Sequence, residues 1–224
     1  MYKIFITIKE NSQRVKKKNF IRFKNNTPLF KVLIYKLNKF KIYIDTDSKK
    51  IMKSVNNDKL IKNTTVYLRE KKFIKMENDG KSPGPYMIEN FLKKFVQDQN
   101  EPIIHAHVTS PFLRQKTLMD AIQFMSKGYD SVTSCNKIRK IAFLKDKKFK
   151  PINFKFENQH VRTQNLNPIY VLNSAFFIFR KKFFMKKLNR ISKNNYFYQL
   201  KFPEYIDIDE KEDVIISRLS KKYL

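Results

Sequence analysis

The chain of 224 residues holds three glycines and one cysteine. Three glycines cannot build a P-loop or a dinucleotide-binding fingerprint, because both need several residues without a Cβ around a phosphate. Any phosphate cradle must therefore rely on side chains and on backbone amides. The single cysteine, Cys135, excludes an internal disulfide framework and a cysteine-built zinc site. No apolar run reaches the roughly eighteen residues of a membrane-crossing helix. The first residues carry no charged n-region and no cleavage site, so the expectation is a soluble cytoplasmic protein without a membrane partner. Acidic residues are scarce too: 20 Asp and Glu face 48 Lys and Arg, for a formal net charge of +28.

What is present supports a folded domain. Apolar residues make up 42% of the chain, enough to bury a core and to exclude disorder along its length. The length suits one domain, or one with a small lobe. An excess of cations suits a polyanionic partner: nucleic acid, an acidic membrane or a phosphorylated substrate. The lysines, however, are scattered from Lys3 to Lys222 in a sequence rich in Lys, Asn, Ile, Phe and Tyr. Compositional bias of the kind AT-rich coding produces explains the charge better than selection for nucleic acid. No nucleic-acid recognition module is visible, and the aromatics fall mostly at apolar strand or helix positions. Nucleic-acid binding is thus a less favoured alternative.

Alternation and branched residues predict strands over 2–7, 41–44, 64–68, 103–108, 131–134 and 169–179, with a last strand ending over 205–207. Helical periodicity predicts helices over 28–39, 49–55, 86–96 and 117–125, one after 179 running through 187, and one over 210–223. Residues 71–85, which carry the only Gly-Pro-rich stretch, read as a mobile loop. The middle region, 136–167, is less regular, with strand-like pieces over 138–144 and 152–156. Strands alternating with helices imply a mainly parallel sheet covered on both faces.

Ligands of such sheets bind beyond the carboxyl ends of the strands, where four polar segments fall: 9–19, 45–47, 109–114 and 207–209. The first carries Lys9, Ser12, Arg14, Lys16, Lys17, Lys18 and Asn19, cations and donors able to neutralise a triphosphate. Taken alone it also reads as a solvated basic loop. Asp207-Ile208-Asp209 puts two carboxylates on one side of an apolar residue, a hard-oxygen pair suited to magnesium beside phosphate. The plainer reading makes Asp209 a helix cap with Glu212 as its capping-box partner. His105 and His107 share a strand face without a third ligand in register, so polar histidines of a core or site fit better than a metal pair. Cys135 has no histidine partner nearby in the sequence and reads as a small core residue.

Together these segments resemble the acylneuraminate cytidylyltransferase family, whose first-loop motif is Arg-x-x-Ser-Lys-Arg-x-Pro-x-Lys-Asn. Ser12, Arg14, Lys18 and Asn19 match it; Lys9 stands for arginine, Gln13 for lysine and Lys16 for proline. The family's Ser-Thr-Asp-Asp appears as Asp45-Thr46-Asp47-Ser48, and its arginine after the third strand as Arg69. Its Gln-Pro-Thr-Ser-Pro appears as His107-Val108-Thr109-Ser110-Pro111. Its Arg-x-Gln is Arg162-Thr163-Gln164, and its Tyr-x-x-Asn-Gly is Tyr170-Val171-Leu172-Asn173 followed by Ser174. The closing Asp-Ile-Asp-x-x-x-Asp is intact as Asp207, Ile208, Asp209 and Asp213.

The resemblance implies a three-layer α/β/α nucleotidyltransferase domain over 1–224, with a small dimerisation lobe at about 136–167 and a homodimer as the assembly. It implies transfer of CMP from CTP to the anomeric hydroxyl of an acidic sugar, with release of pyrophosphate. By the same resemblance Mg²⁺ sits on Asp207 and Asp209, and Lys18 joins them in catalysis. Lys9, Ser12, Arg14, Lys18, Asn19, Asp47 and Arg69 hold the nucleotide. His107, Thr109, Ser110, Arg162, Gln164 and Asn173 hold the sugar, with Arg162 on its carboxylate. The departures at positions 9, 13 and 16 leave a second reading, a weakly catalytic or repurposed nucleotide- or sugar-binding relative.

Overall fold

A computed structural model describes residues 1–12, 14–155 and 162–224. Gln13 of the first-loop motif and Phe156 of the expected 152–156 piece lie outside the described residues. Nine strands and seven helices are described, along with short 3-10 turns. The strands are β1 (Lys3–Ile8), β2 (Lys41–Thr46), β3 (Thr64–Leu68), β4 (Pro102–Ala106), β5 (Ser131–Ile138), β6 (Phe143–Lys145), β7 (Phe149–Pro151), β8 (Ile169–Arg180) and β9 (Asn195–Gln199). The helices are α1 (Leu29–Lys36), α2 (Lys49–Asn56), α3 (Lys71–Asn78), α4 (Gly84–Phe95), α5 (Gln115–Ser126), α6 (Lys181–Lys187) and α7 (Lys211–Leu219).

Seven strands form one sheet in the order β3-β2-β1-β4-β8-β5-β9, while β6 and β7 make a separate hairpin. All pairings in the large sheet are parallel except those of β8, which runs antiparallel to β4 and β5. The central strands are apolar on both sides, as sheets covered on both faces require. Ile4, Ile6, Ile42 and Ile44 face one layer with Phe30 and Leu33 of α1, Ile51 of α2 and Leu118 of α5. Phe5, Tyr43, Ile103 and Phe177 face the other with Phe73 of α3, Phe91 of α4 and Phe184 of α6. The α/β/α layering expected from the sequence is present.

A third, smaller cluster positions the candidate site. Val15 of the first loop packs with Phe23, Leu29, Val32, Ile208 and Val214. Ile208, fully buried, is the apolar residue between the two aspartates, so its burial carries Asp207 and Asp209 to the first loop.

Several expectations are corrected. Residues 71–85 are not one loop: α3 occupies most of them, because Phe73 and Met76 lie three apart on one face and pack on the α4 layer. The helix ends at Asn78, and Gly80 just beyond it has a φ of +72°, which glycine adopts without strain. The strand expected over 103–108 stops at Ala106, which leaves His107 just beyond it. The helix expected to reach 39 ends at Lys36. The strand expected at 131–134 continues to Ile138, and the middle pieces shrink to the hairpin over 143–151. The last strand is β9, and residues 205–207 belong to no strand. Asp209 is not the helix cap either: Glu210 is the cap residue of α7 and forms a capping box with Asp213.

One half-buried ion pair gives a pH prediction. Asp58 accepts from Lys31 Nζ and Tyr35 Oη, each at 2.6 Å, and from the Leu60 amide at 3.0 Å. Burial pushes its carboxyl up, but these donors outweigh burial and hold it below the ordinary value. A carboxyl depressed by folding contributes stability that is present above its unfolded pKa and lost as pH falls through its folded one. The wild type should therefore lose its stability advantage over Asp58→Asn between about pH 5 and pH 3. Urea melts of both proteins across that range check this; parallel curves would contradict it.

Candidate active site

The carboxyl ends of β1 and β4, the first loop and the 207–209 segment enclose a cavity of about 350 Å³. Lys9, Ser12, Arg14, Lys18, Asn19, His107, Thr109, Asp207 and Asp209 all line it. Nine of the residues singled out in the sequence thus converge on one space. Lys18, itself buried, donates to the Ile208 carbonyl at 2.7 Å and to Asp209 Oδ1 at 2.9 Å. Arg14 reaches Asp209 Oδ1 at 2.9 Å and Glu210 Oε1 at 3.0 Å. Lys9 pairs with Glu77 at 3.0 Å. Asn19 Nδ2 donates to the Lys9 carbonyl at 2.7 Å, while its buried Oδ1 has no partner among the described residues.

The two aspartates have different surroundings. Asp207 accepts from Ser110 Oγ at 3.4 Å, and burial raises its pKa. Burial acts on Asp209 too, but Lys18 and Arg14 outweigh it and lower the pKa. Both carboxyl groups face a cationic loop. Among the described residues no three His, Cys, Asp or Glu side chains are grouped to hold a metal. A hard cation held by Asp207 and Asp209 would need further oxygens from a bound ligand.

A second network fixes the wall of the cavity. Buried Glu204 accepts from the Arg114 amide at 2.8 Å, Arg114 Nη2 at 2.9 Å and Thr117 Oγ1 at 2.7 Å. The Ile208 amide donates to the Thr109 carbonyl at 2.8 Å. These bonds clamp the 200–209 segment to the loop after β4. Glu204 went unnoticed in the sequence, because a lone Glu among Tyr, Phe and Pro carries no spacing signal.

Other singled-out residues sit elsewhere. Arg69 is buried and donates Nε to Asp45 Oδ1 at 2.6 Å, with Nη1 at 3.0 Å from Glu77 Oε2. Asp47 Oδ1 accepts the Glu10 amide at 2.7 Å, which ties the first loop to the end of β2. Asn173 donates to Asn136 Oδ1 at 2.7 Å. Ser174, where the resembled motif has glycine, lines the cavity at a φ of +56°, a conformation that costs a residue with a Cβ. Arg162 and Gln164 are exposed at a 3-10 turn and line neither this cavity nor its neighbour.

That neighbour, of about 360 Å³, adjoins the first cavity through Thr7 and His107, which line both. Its walls include Ser82, Gly84, Ile88, His105, Phe184 and Arg190. Arg190 was not marked in the sequence, where it sits in a run of Lys and Asn like any surface cation.

Comparisons with known proteins bear on the family and the fold. Curated relatives named N-acylneuraminate cytidylyltransferase, from Streptococcus agalactiae serotypes III and V, are 26% and 25% identical to this chain over 134 residues. That stretch is 58% of the chain but only 32% of each relative, so the match spans about a third of their length. Among solved structures, a CMP:2-keto-3-deoxy-manno-octonic acid synthetase complexed with CTP superposes over 100% of both chains, with a TM-score of 0.66 at 13% identity. A 4-diphosphocytidyl-2C-methyl-D-erythritol synthase from Anaerococcus prevotii covers 99% of this chain and 96% of its own, with a TM-score of 0.66 at 11% identity. At such identities these two show the shared fold. The family model described as cytidylyltransferase matches residues 6–218, nearly the whole chain, and the chain belongs to the cytidylyltransferase family.

Proposed function

We propose that this chain transfers CMP from CTP to the anomeric hydroxyl of an acidic sugar. The observation that carries the reading is the single cavity in which Lys9, Ser12, Arg14 and Lys18 face the paired Asp207 and Asp209. The hydroxyl oxygen bonds to the α-phosphorus, the bond from that phosphorus to the bridging oxygen breaks, pyrophosphate leaves and the hydroxyl proton passes to water. Such a reaction needs positioning and charge neutralisation more than covalent help from the protein. Lys18 and Arg14 neutralise the triphosphate, for which they must exchange some of their contact with Asp209. Ser12 and Asn19 donate to phosphoryl or ribose oxygens, with Asp47 holding the loop and Arg69 bracing the end of β2.

Asp207 and Asp209 are the residues that would hold Mg²⁺. The hard-oxygen pair, with no third protein ligand grouped beside it among the described residues, suits a cation that takes its other oxygens from the nucleotide. When bound, the ion supplies charge stabilisation to the phosphoryl oxygens. His107, Thr109 and Ser110 lie on the acceptor side.

A homodimer suits the lobe. Phe143, Leu144 and Phe149 of the hairpin, Tyr170, Val171 and Leu172 of β8 and Phe197 of β9 are all exposed, an apolar concentration that marks an interface more than a solvated surface. Arg162, Gln164 and Asn173 belong to this side, so Arg162 reaches an acceptor only in a second copy. Sedimentation should give twice the 27.1 kDa chain mass, and a Leu144→Asp variant should sediment as a monomer. A monomeric wild type would contradict the assembly.

The function is tested by pyrophosphate release with each of the four nucleoside triphosphates, magnesium and a panel of 2-keto-3-deoxy acids of eight and nine carbons. CTP with one of the acids should stand out. Release with no acid, or equally with all four nucleotides, would contradict the reading.

A further inference from the structure

The second cavity contains a cation that the reaction described above does not use. Arg190 is largely buried, its guanidinium carbon 3.8 Å from the centre of the Phe177 ring, and Nη1 lies 2.9 Å from His105 Nδ1. Among the described residues it pairs with no carboxylate, unlike Arg14, Arg69 and Arg114, which all do. Burial pulls its pKa down to about 10, so it stays charged at neutral pH. A desolvated guanidinium with most donors unspent is costly unless a ligand supplies the acceptor.

The histidines are set to help. A guanidinium can only donate, so His105 Nδ1 accepts and its proton sits on Nε2. Among the described residues that buried Nε2 has no partner, and neither has the buried His107 Nε2. Burial, the largest cause, holds His105 well below the usual histidine range and His107 at about 4, so both rings are neutral. The stacking on Phe177 and the bond to His105 fix the guanidinium plane beside a cavity that opens, through Thr7 and His107, onto the proposed triphosphate space.

We propose that Arg190, backed by His105, is an oxyanion receptor that takes a carboxylate or phosphate group carried by the acceptor molecule. The assignment of that group to the acceptor rests on the cytidylyltransferase reading; the receptor itself does not. It also makes the acceptor's anionic group a matter for one chain, without Arg162 of a second copy.

His105 is one of only three histidines, so its imidazole resonances can report locally without turnover. The full chain is titrated with inorganic phosphate and, separately, with pyruvate as a minimal 2-keto acid. His105 should shift saturably with at least one probe: phosphate alone assigns a phosphorylated group, pyruvate alone a carboxylate, and both a general oxyanion site. Arg190→Ala should weaken the response about tenfold to a hundredfold, as expected for losing a charged hydrogen-bond donor. Arg190→Gln, which keeps a donor but no charge, guards against a folding defect and should weaken it similarly. Arg14→Ala, altered only on the triphosphate side, should leave the His105 response in place. No saturable shift with either probe, or an unchanged shift in Arg190→Gln, overturns the receptor. Failure of CTP turnover alongside an Arg190-dependent shift would sink the functional reading and leave the receptor standing.

Discussion

Asp207→Asn and Asp209→Asn should each cut pyrophosphate release by on the order of a thousandfold, while both proteins stay folded. The factor corresponds to losing several kcal/mol of charge stabilisation at the phosphoryl group. Asparagine keeps the size of each side chain, so the Ile208 anchor in the Val15 cluster survives. The two losses should differ in their side effects. Asp209 also balances Lys18 and Arg14, so its amide variant should lose some stability as well as activity. Asp213→Ala is the contrasting control, because Asp213 caps α7 by accepting from the Asp209 and Glu210 amides at 2.9 and 2.7 Å. Its loss should cost about 1 kcal/mol of stability and leave turnover below the melting range intact. Turnover retained in both asparagine variants would remove the carboxylate pair from the chemistry.

Arg69→Met should be the most destabilising single change outside the apolar core. Its guanidinium is fully buried between Asp45 and Glu77. Removing one partner of a buried pair leaves an uncompensated carboxylate, at a cost of about 3–5 kcal/mol. In a chain of this size that lowers the melting temperature by roughly 10 °C. Burial, opposed by Arg69, already holds the Asp45 pKa above its ordinary value, so Asp45 should take up a proton once Arg69 is gone. The double variant Arg69→Met with Asp45→Asn should accordingly recover part of the loss. Calorimetry of the three proteins decides this. An unchanged melting temperature with a raised CTP KM would instead assign Arg69 to the nucleotide.

Much of this arrangement was legible in the sequence where local pattern and burial agree. The strand over 64–68 was read to the residue, because Thr64–Leu68 is branched, aromatic and bounded by polar turns. The first loop and the Asp-Ile-Asp segment were singled out separately, and the fold brings them together through Val15 and Ile208, two ordinary apolar residues. What escaped had weak or misleading local signals. Helix α3 hides in a lysine-rich stretch with only Phe73 and Met76 turned inward. Strand β9 lies at the sheet edge and is only partly buried, so its pattern is diluted, while 205–207 looks strand-like but finds no partner. Arg190 is indistinguishable in sequence from the cations around it. Its meaning comes from His105 on β4 and Phe177 on β8, neither of which adjoins it in the sequence.

The central claim is that this chain moves a CMP group, and the most direct measurement follows that group. The purified chain is incubated with magnesium, a 2-keto-3-deoxy acid and CTP labelled at the α-phosphorus. The account predicts that the label enters a new compound containing the acid, in a one-to-one ratio with unlabelled pyrophosphate, and that Asp207→Asn stops both. Label that stays in CTP with every acid, or appears only as free CMP, would contradict it.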